Sequence, residues 1–329
     1  MKSKRFNFIL SGLTLLPLIQ PAFLTKLSIA SSSALIISSS QKVNANERYY
    51  FYFDRAAKKY DKGDLSGAIA DYTKAININS QDANAFYNRA LAKHESEDYS
   101  GAIADYTSAI EINPNDHDFY FNRGLSYIDS GYNKKAIKDY TKVIELTPED
   151  SLAYYNRALS KDNLEDFKGA IQDYTKAIEL DLNYANAYNN RGLIKETLED
   201  SKGAIKDFDA AIKLKPEDAL FLYNRAISRG SLEDYYGEIS DYNKAIKINP
   251  NEPDYFNNRG YSKELIKDFD GAIEDYTAAI NLDSEYVLSY YNRGRLLGSM
   301  DDMDGACKDW RKAASLGDQD AATFVKEDC

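Results

Sequence analysis

Asparagine followed by arginine recurs every 34 residues along this 329-residue chain. The pairs are Asn88-Arg89, Asn122-Arg123, Asn156-Arg157, Asn190-Arg191, Asn224-Arg225, Asn258-Arg259 and Asn292-Arg293, and Asp54-Arg55 extends the register one step upstream. Sixteen residues after each arginine stands an aspartate: Asp71, Asp105, Asp139, Asp173, Asp207, Asp241, Asp275 and Asp309. These residue types do non-covalent chemistry. A guanidinium fork holds a carboxylate through two parallel hydrogen bonds, so the spacing predicts a structural Arg–Asp ladder, within a repeat or between neighbours. An asparagine amide is both donor and acceptor, so the row Asn88 to Asn292 can hold the backbone of an extended peptide. The same row can instead be solvated or brace the next helix.

Covalent chemistry has little to work with. The chain holds two histidines, His94 and His117, in no recurring constellation, and no glycine-rich phosphate loop follows a strand pattern. Asp302-Met303-Asp304-Gly305 is part of a calcium-loop pattern, but Met300 and Arg311 fall where the first and last ligands belong. No catalytic residue, cofactor, metal or small-molecule substrate is expected. The formal charge of −11 opposes binding to nucleic acid, where positive charge supplies most of the affinity.

Two helices must position these residues in each repeat. Numbered 1 to 34 from Tyr49, Ala83, His117, Ser151, Ala185, Ala219, Pro253 and Val287, every repeat carries two amphipathic patterns. Repeat 4 shows them as Tyr154, Tyr155, Ala158 and Leu159, then Ala170, Ile171, Tyr174, Ala177 and Ile178. Position 8 is always Ala or Gly and position 24 always aromatic, so two helix backbones approach closely beside a filling ring. Pro114, Pro148, Pro216 and Pro250 end the second helix.

The small residues at 8 and 20, the aromatics at 4 and 24, Ala at 27 and Pro at 32 resemble the tetratricopeptide repeat (TPR) family, in an Asn-Arg-Gly variant of the repeat, over residues 49–320. The resemblance implies an all-α, right-handed superhelical solenoid of eight antiparallel helix pairs, closed by a C-terminal capping helix over 321–329. It also implies a non-enzymatic scaffold that binds an extended peptide or protein in a concave groove lined by positions 2, 6 and 13 of the first helix. An assembly factor or chaperone-like helper for a membrane or envelope complex, and a spacer with an unoccupied groove, are the alternatives. Groove positions 2 and 5 carry no base, and Glu95, Asp129, Asp162, Glu196 and Glu264 add acid, so a neutral to basic peptide is the expected partner. The chain departs from the family at position 7, always Arg, and at position 11, Lys or Arg in six repeats. Glu238 replaces the packing Ala of repeat 6, which should disturb that helix pair.

Residues 1–45 stand apart from the solenoid of 46–320. They begin with Lys2, Lys4 and Arg5, carry an apolar stretch from Phe6 to Leu18, turn serine-rich, and lack acids before Glu47. This reads as a secretory signal peptide and an exported protein, in the periplasm, a lumen or outside the cell; a plastid transit peptide or an uncleaved membrane anchor are the alternatives. In an oxidising compartment Cys307 and Cys329 can close a disulfide loop of about 23 residues, stabilising by roughly 3 kcal/mol.

Overall fold

The computed structural model describes residues 45–329, and the segment read as a leader lies outside them but for Ala45, which opens the first helix. The described residues form seventeen α-helices and no strand, in two compact units that divide between Leu180 and Asp181. The first unit pairs α1 (Ala45–Tyr60) with α2 (Leu65–Ile78), α3 (Ala83–Glu95) with α4 (Tyr99–Ile112), α5 (His117–Asp129) with α6 (Asn133–Leu146), and α7 (Ser151–Asp162) with α8 (Phe167–Leu180). The second pairs α9 (Ala185–Thr197) with α10 (Ser201–Leu214), α11 (Ala219–Ser231) with α12 (Tyr235–Ile248), α13 (Pro253–Leu265) with α14 (Phe269–Leu282), and α15 (Val287–Ser299) with α16 (Met303–Ser315), and adds α17 (Gln319–Asp328). No described helix is long and apolar enough to cross a membrane.

Local chemistry sets these boundaries. Seven of the eight second helices start after an aspartate; that of Asp200 accepts a hydrogen bond from the Gly203 amide at 3.0 Å, satisfying a donor the helix start would leave orphaned. The glycine leaves room for this cap, because a Cβ on Gly203 would lie 2.1 Å from the Asp200 carboxylate and push it aside. The exception is α6, where Tyr132 stands at the cap without a side-chain bond. First helices end on a residue in the left-handed region, such as Glu199 (φ 62°), whose amide bonds back to Glu196 while the next amide reaches Lys195. Pro253 opens α13 at the one turn where its missing N–H costs nothing.

Within each pair the aromatic at position 24 stands over the small residue at position 8. A Cβ on Gly192 would meet the Phe208 ring at 2.8 Å, and Tyr106, Tyr174 and Tyr242 are likewise fully buried. The disturbance expected at Glu238 does not occur. Glu238 is fully buried in α12, and the α11–α12 pair still closes over Ala226 and Tyr242.

Candidate functional site

The arginine at position 7 of every repeat grips the aspartate at position 23 of its own repeat. Arg157 Nε and Nη2 donate to the two oxygens of Asp173 at 2.8 Å each, and the forks at Arg55, Arg89, Arg123, Arg191, Arg225, Arg259 and Arg293 run from 2.5 to 2.9 Å. The third arm, Nη1, reaches the preceding repeat: Arg89 to Thr73 at 3.0 Å, Arg123 to Thr107 at 3.0 Å, Arg225 to Asp209 at 2.6 Å and Arg293 to Thr277 at 2.7 Å. One side chain thus closes its own helix pair and ties it to the one before.

The Lys or Arg at position 11, a departure from the family on sequence grounds, completes this cluster. Lys93 Nζ lies 2.8 Å from Asp105, Lys161 2.6 Å from Asp173, and Arg229 2.8 Å from Asp241. Four residues separate positions 7 and 11, so both cations share one helix face. Repeat 3 has Tyr127 there and repeat 8 has Leu297. The Arg55 fork, aided by Lys59 and Lys74, holds the Asp71 carboxyl well below its ordinary range, whereas burial raises that of Asp139, which has Arg123 alone.

The asparagine row is sorted by what precedes it. Asn122 donates to the Tyr87 hydroxyl at 3.1 Å, Asn224 to Asn189 Oδ1 at 2.9 Å, Asn258 to the Tyr223 hydroxyl at 3.2 Å and Asn292 to Asn257 Oδ1 at 3.2 Å. In each case the acceptor is position 5 of the preceding repeat. Asn190 accepts from its neighbour Asn189 at 3.1 Å. Asn88 and Asn156 follow Phe53 and Phe121, which offer no acceptor, and their amides donate only to their own helix, at Asn84 O (2.8 Å) and Leu152 O (2.9 Å). Asn156 is 5% exposed and its Oδ1 is a buried acceptor with no partner, beside Leu152, which is 48% exposed.

The acids assigned to the groove are mostly engaged. Glu196 accepts from Ser228 (2.6 Å) and Ser231 (2.7 Å); Glu264 takes Arg295 and the Tyr276 hydroxyl (3.2 Å); Glu95 takes the Tyr60 hydroxyl. Asp129 lies 3.5 Å from His94 Nε2, while His94 Nδ1 sits 2.9 Å from Ser126 Oγ; burial lowers the histidine's pKa and raises the aspartate's. Asp162 is the exception: burial pushes its carboxyl up to about 6, with no hydrogen bond to relieve it. Sequence reasoning missed this second inter-repeat ladder. His117, at the start of α5, faces Asp118 at 3.4 Å. Among the described residues no cluster of His, Cys, Asp and Glu is arranged to hold a metal ion. Cys307 and Cys329 are joined as a disulfide, with Cα atoms 5.6 Å apart.

Paired helices, an aromatic over a small residue and a 34-residue period define a helix-pair repeat protein. A family model described as TPR repeat matches residues 58–96, 90–131 and 164–199, and one described as tetratricopeptide repeat matches 117–150, 185–218 and 253–286. The chain is a tetratricopeptide repeat protein, built on a fold that serves as a protein–protein interaction scaffold and is generally non-catalytic. Solved structures agree on the fold. A tetratricopeptide repeat protein from Parabacteroides merdae matches with a TM-score of 0.57 at 20% identity, over 79% of this chain and 99% of that one. Pseudomonas aeruginosa pilF matches with a TM-score of 0.55 at 20% identity, over 64% and 97%. YrrB, described as a TPR protein with an unusual peptide-binding site, matches with a TM-score of 0.50 at 24% identity, over 57% and 97%. No curated protein sequence matches the chain.

Proposed function

We propose that this protein is a non-enzymatic scaffold, of an Asn-Arg-Gly type of TPR repeat, that holds an extended, neutral to basic peptide segment along its first-helix face. The observation that carries this reading is Asn156 on α7. Its Oδ1 is a buried acceptor without a partner, and leaving such a group unmet costs about 1–3 kcal/mol, which a ligand N–H would recover once the amide turns outward to meet it. Exposed Leu152, one helical turn away, offers apolar contact to the same ligand. The sorting of the row narrows the contact set: Asn156 and Asn88 are the recognising members, while Asn122, Asn224, Asn258 and Asn292 act mainly as braces between repeats. The protein acts in an exported compartment; the Cys307–Cys329 bond suits an oxidising environment.

The test is fluorescence anisotropy with labelled peptide libraries, one basic and one acidic. Basic and neutral peptides should bind, and Asn156→Ala should weaken them about threefold to tenfold, the worth of one hydrogen bond. Asn224→Ala should mainly lower the melting temperature. Preference for acidic peptides, or full affinity in Asn156→Ala, would sink the proposal.

A further inference from the structure

The unit from Asp181 onward carries its exposed apolar side chains in one kind of place. Nine large hydrophobics are exposed there, and six lie in or next to the turn between the two helices of a repeat. Leu198 (51% exposed), Leu232 and Met300 (43%) hold the same position in their turns; in the third turn Ile266 at that position is half-buried and Leu265, the residue before it, is exposed. Neighbouring turns are fastened together: Ser231 Oγ donates to Glu196 across the first two, and Arg295 pairs with Glu264 across the last two. Single surface leucines need no explanation, but a row recurring at every repeat does.

A second observation comes from the backbone. The residue after Leu198, Leu232 and Met300 is left-handed in each case, and in each case it is an acid: Glu199 (φ 62°), Glu233 (φ 62°) and Asp301 (φ 66°). Glycine takes this conformation without a steric penalty, and the chain uses it at the corresponding turns of Gly63 and Gly131, where Lys62 and Ser130 stand in place of the apolar residue. Three turns that present an apolar side chain thus set a carboxylate beside it, as the turn at Glu97 (φ 63°) does beside Ser96. Lys267 interrupts the acids at the third turn.

We propose that this ridge, at the helix ends and distinct from the asparagine row, docks an amphipathic basic helix of a partner protein, with apolar residues on one face and Lys or Arg on its flanks. Charge decides the occupant. A second copy of the ridge would set acid against acid, and an anionic lipid surface would be repelled. A basic amphipathic helix matches both the apolar row and its acidic border. The proposal stands independently of the peptide reading for Asn156.

The probe is a labelled 18-residue helix of Leu and Lys at amphipathic spacing, with a Leu/Glu counterpart, titrated into the full chain. The Leu/Lys peptide should bind and the Leu/Glu peptide should not. Leu198→Ser with Leu232→Ser and Met300→Ser should weaken binding at least tenfold. Glu199→Gly with Glu233→Gly and Asp301→Gly should weaken it and flatten its salt dependence, while helical circular dichroism stays unchanged. Equal binding of both peptides, or full affinity in either ridge variant, would overturn the proposal. So would a dimer in sedimentation that the serine variant disperses, or binding to phosphatidylserine vesicles.

Discussion

The invariant arginine and aspartate show how one spacing supports two partners. Position 7 lies sixteen residues before its own Asp and sixteen after position 25 of the preceding repeat, so sequence separation alone left the pairing open; the fork takes the first and Nη1 the second. The asparagine row was legible as a row, but its function turned on position 5 of the repeat before, where Tyr and Asn accept a bond and Phe does not. The cluster predicts unequal mutants. Arg157→Ala leaves Asp173 with Lys161 and should cost about 2 kcal/mol; Arg123→Ala leaves Asp139 buried without a cation and should cost about 4 kcal/mol. The sign with pH follows from Asp139, whose carboxyl burial already holds above its ordinary value. Losing Arg123 raises it further. A folded state that binds the proton more tightly than the unfolded chain gains stability as pH falls through the folded pKa, so the Arg123→Ala deficit should shrink between pH 8 and pH 5. Thermal melts at both pH values check this; equal costs at pH 8, or a deficit indifferent to pH, would refute it.

Helices were the most legible level, because a 34-residue period displays the same buried faces eight times over. The caps were not, since Asp is abundant throughout the chain and only the coordinates show that glycine at 19 leaves room for the cap at position 16. The expectation that Glu238 would disturb its helix pair failed for a related reason: one buried carboxylate does not outweigh the packing of Ala226, Tyr242 and Ala245 around it. At this scale α6 offers a measurable defect. The Tyr140 hydroxyl is fully buried without a partner, and repeat 5 already uses Phe208 at the same position. Tyr140→Phe should therefore raise stability by about 1 kcal/mol, read as a higher urea midpoint, and a lower midpoint would show that the hydroxyl is satisfied in solution.

The whole molecule has one covalent tie among its described residues. It joins α16 to the residue that follows α17, 22 positions along the chain. The only tryptophan, Trp310, packs against Phe324 of α17 with ring centroids 4.9 Å apart and the rings tilted by 40°, so its fluorescence reports the same region. Reduction by dithiothreitol should lower the fluorescence-detected melting midpoint by an amount equivalent to roughly 3 kcal/mol, and Cys329→Ser should reproduce it without reductant. An unchanged midpoint in both would mean that the bond does not form in solution. The tie is local, and so are the other contacts. The Arg forks span 16 residues, and the asparagine braces and Ser–Glu bonds span 32 to 35. A ribosome therefore never has to wait for a distant segment: each repeat can close on the one before as soon as its own second helix emerges, and the nascent chain exposes about one unfinished repeat at a time.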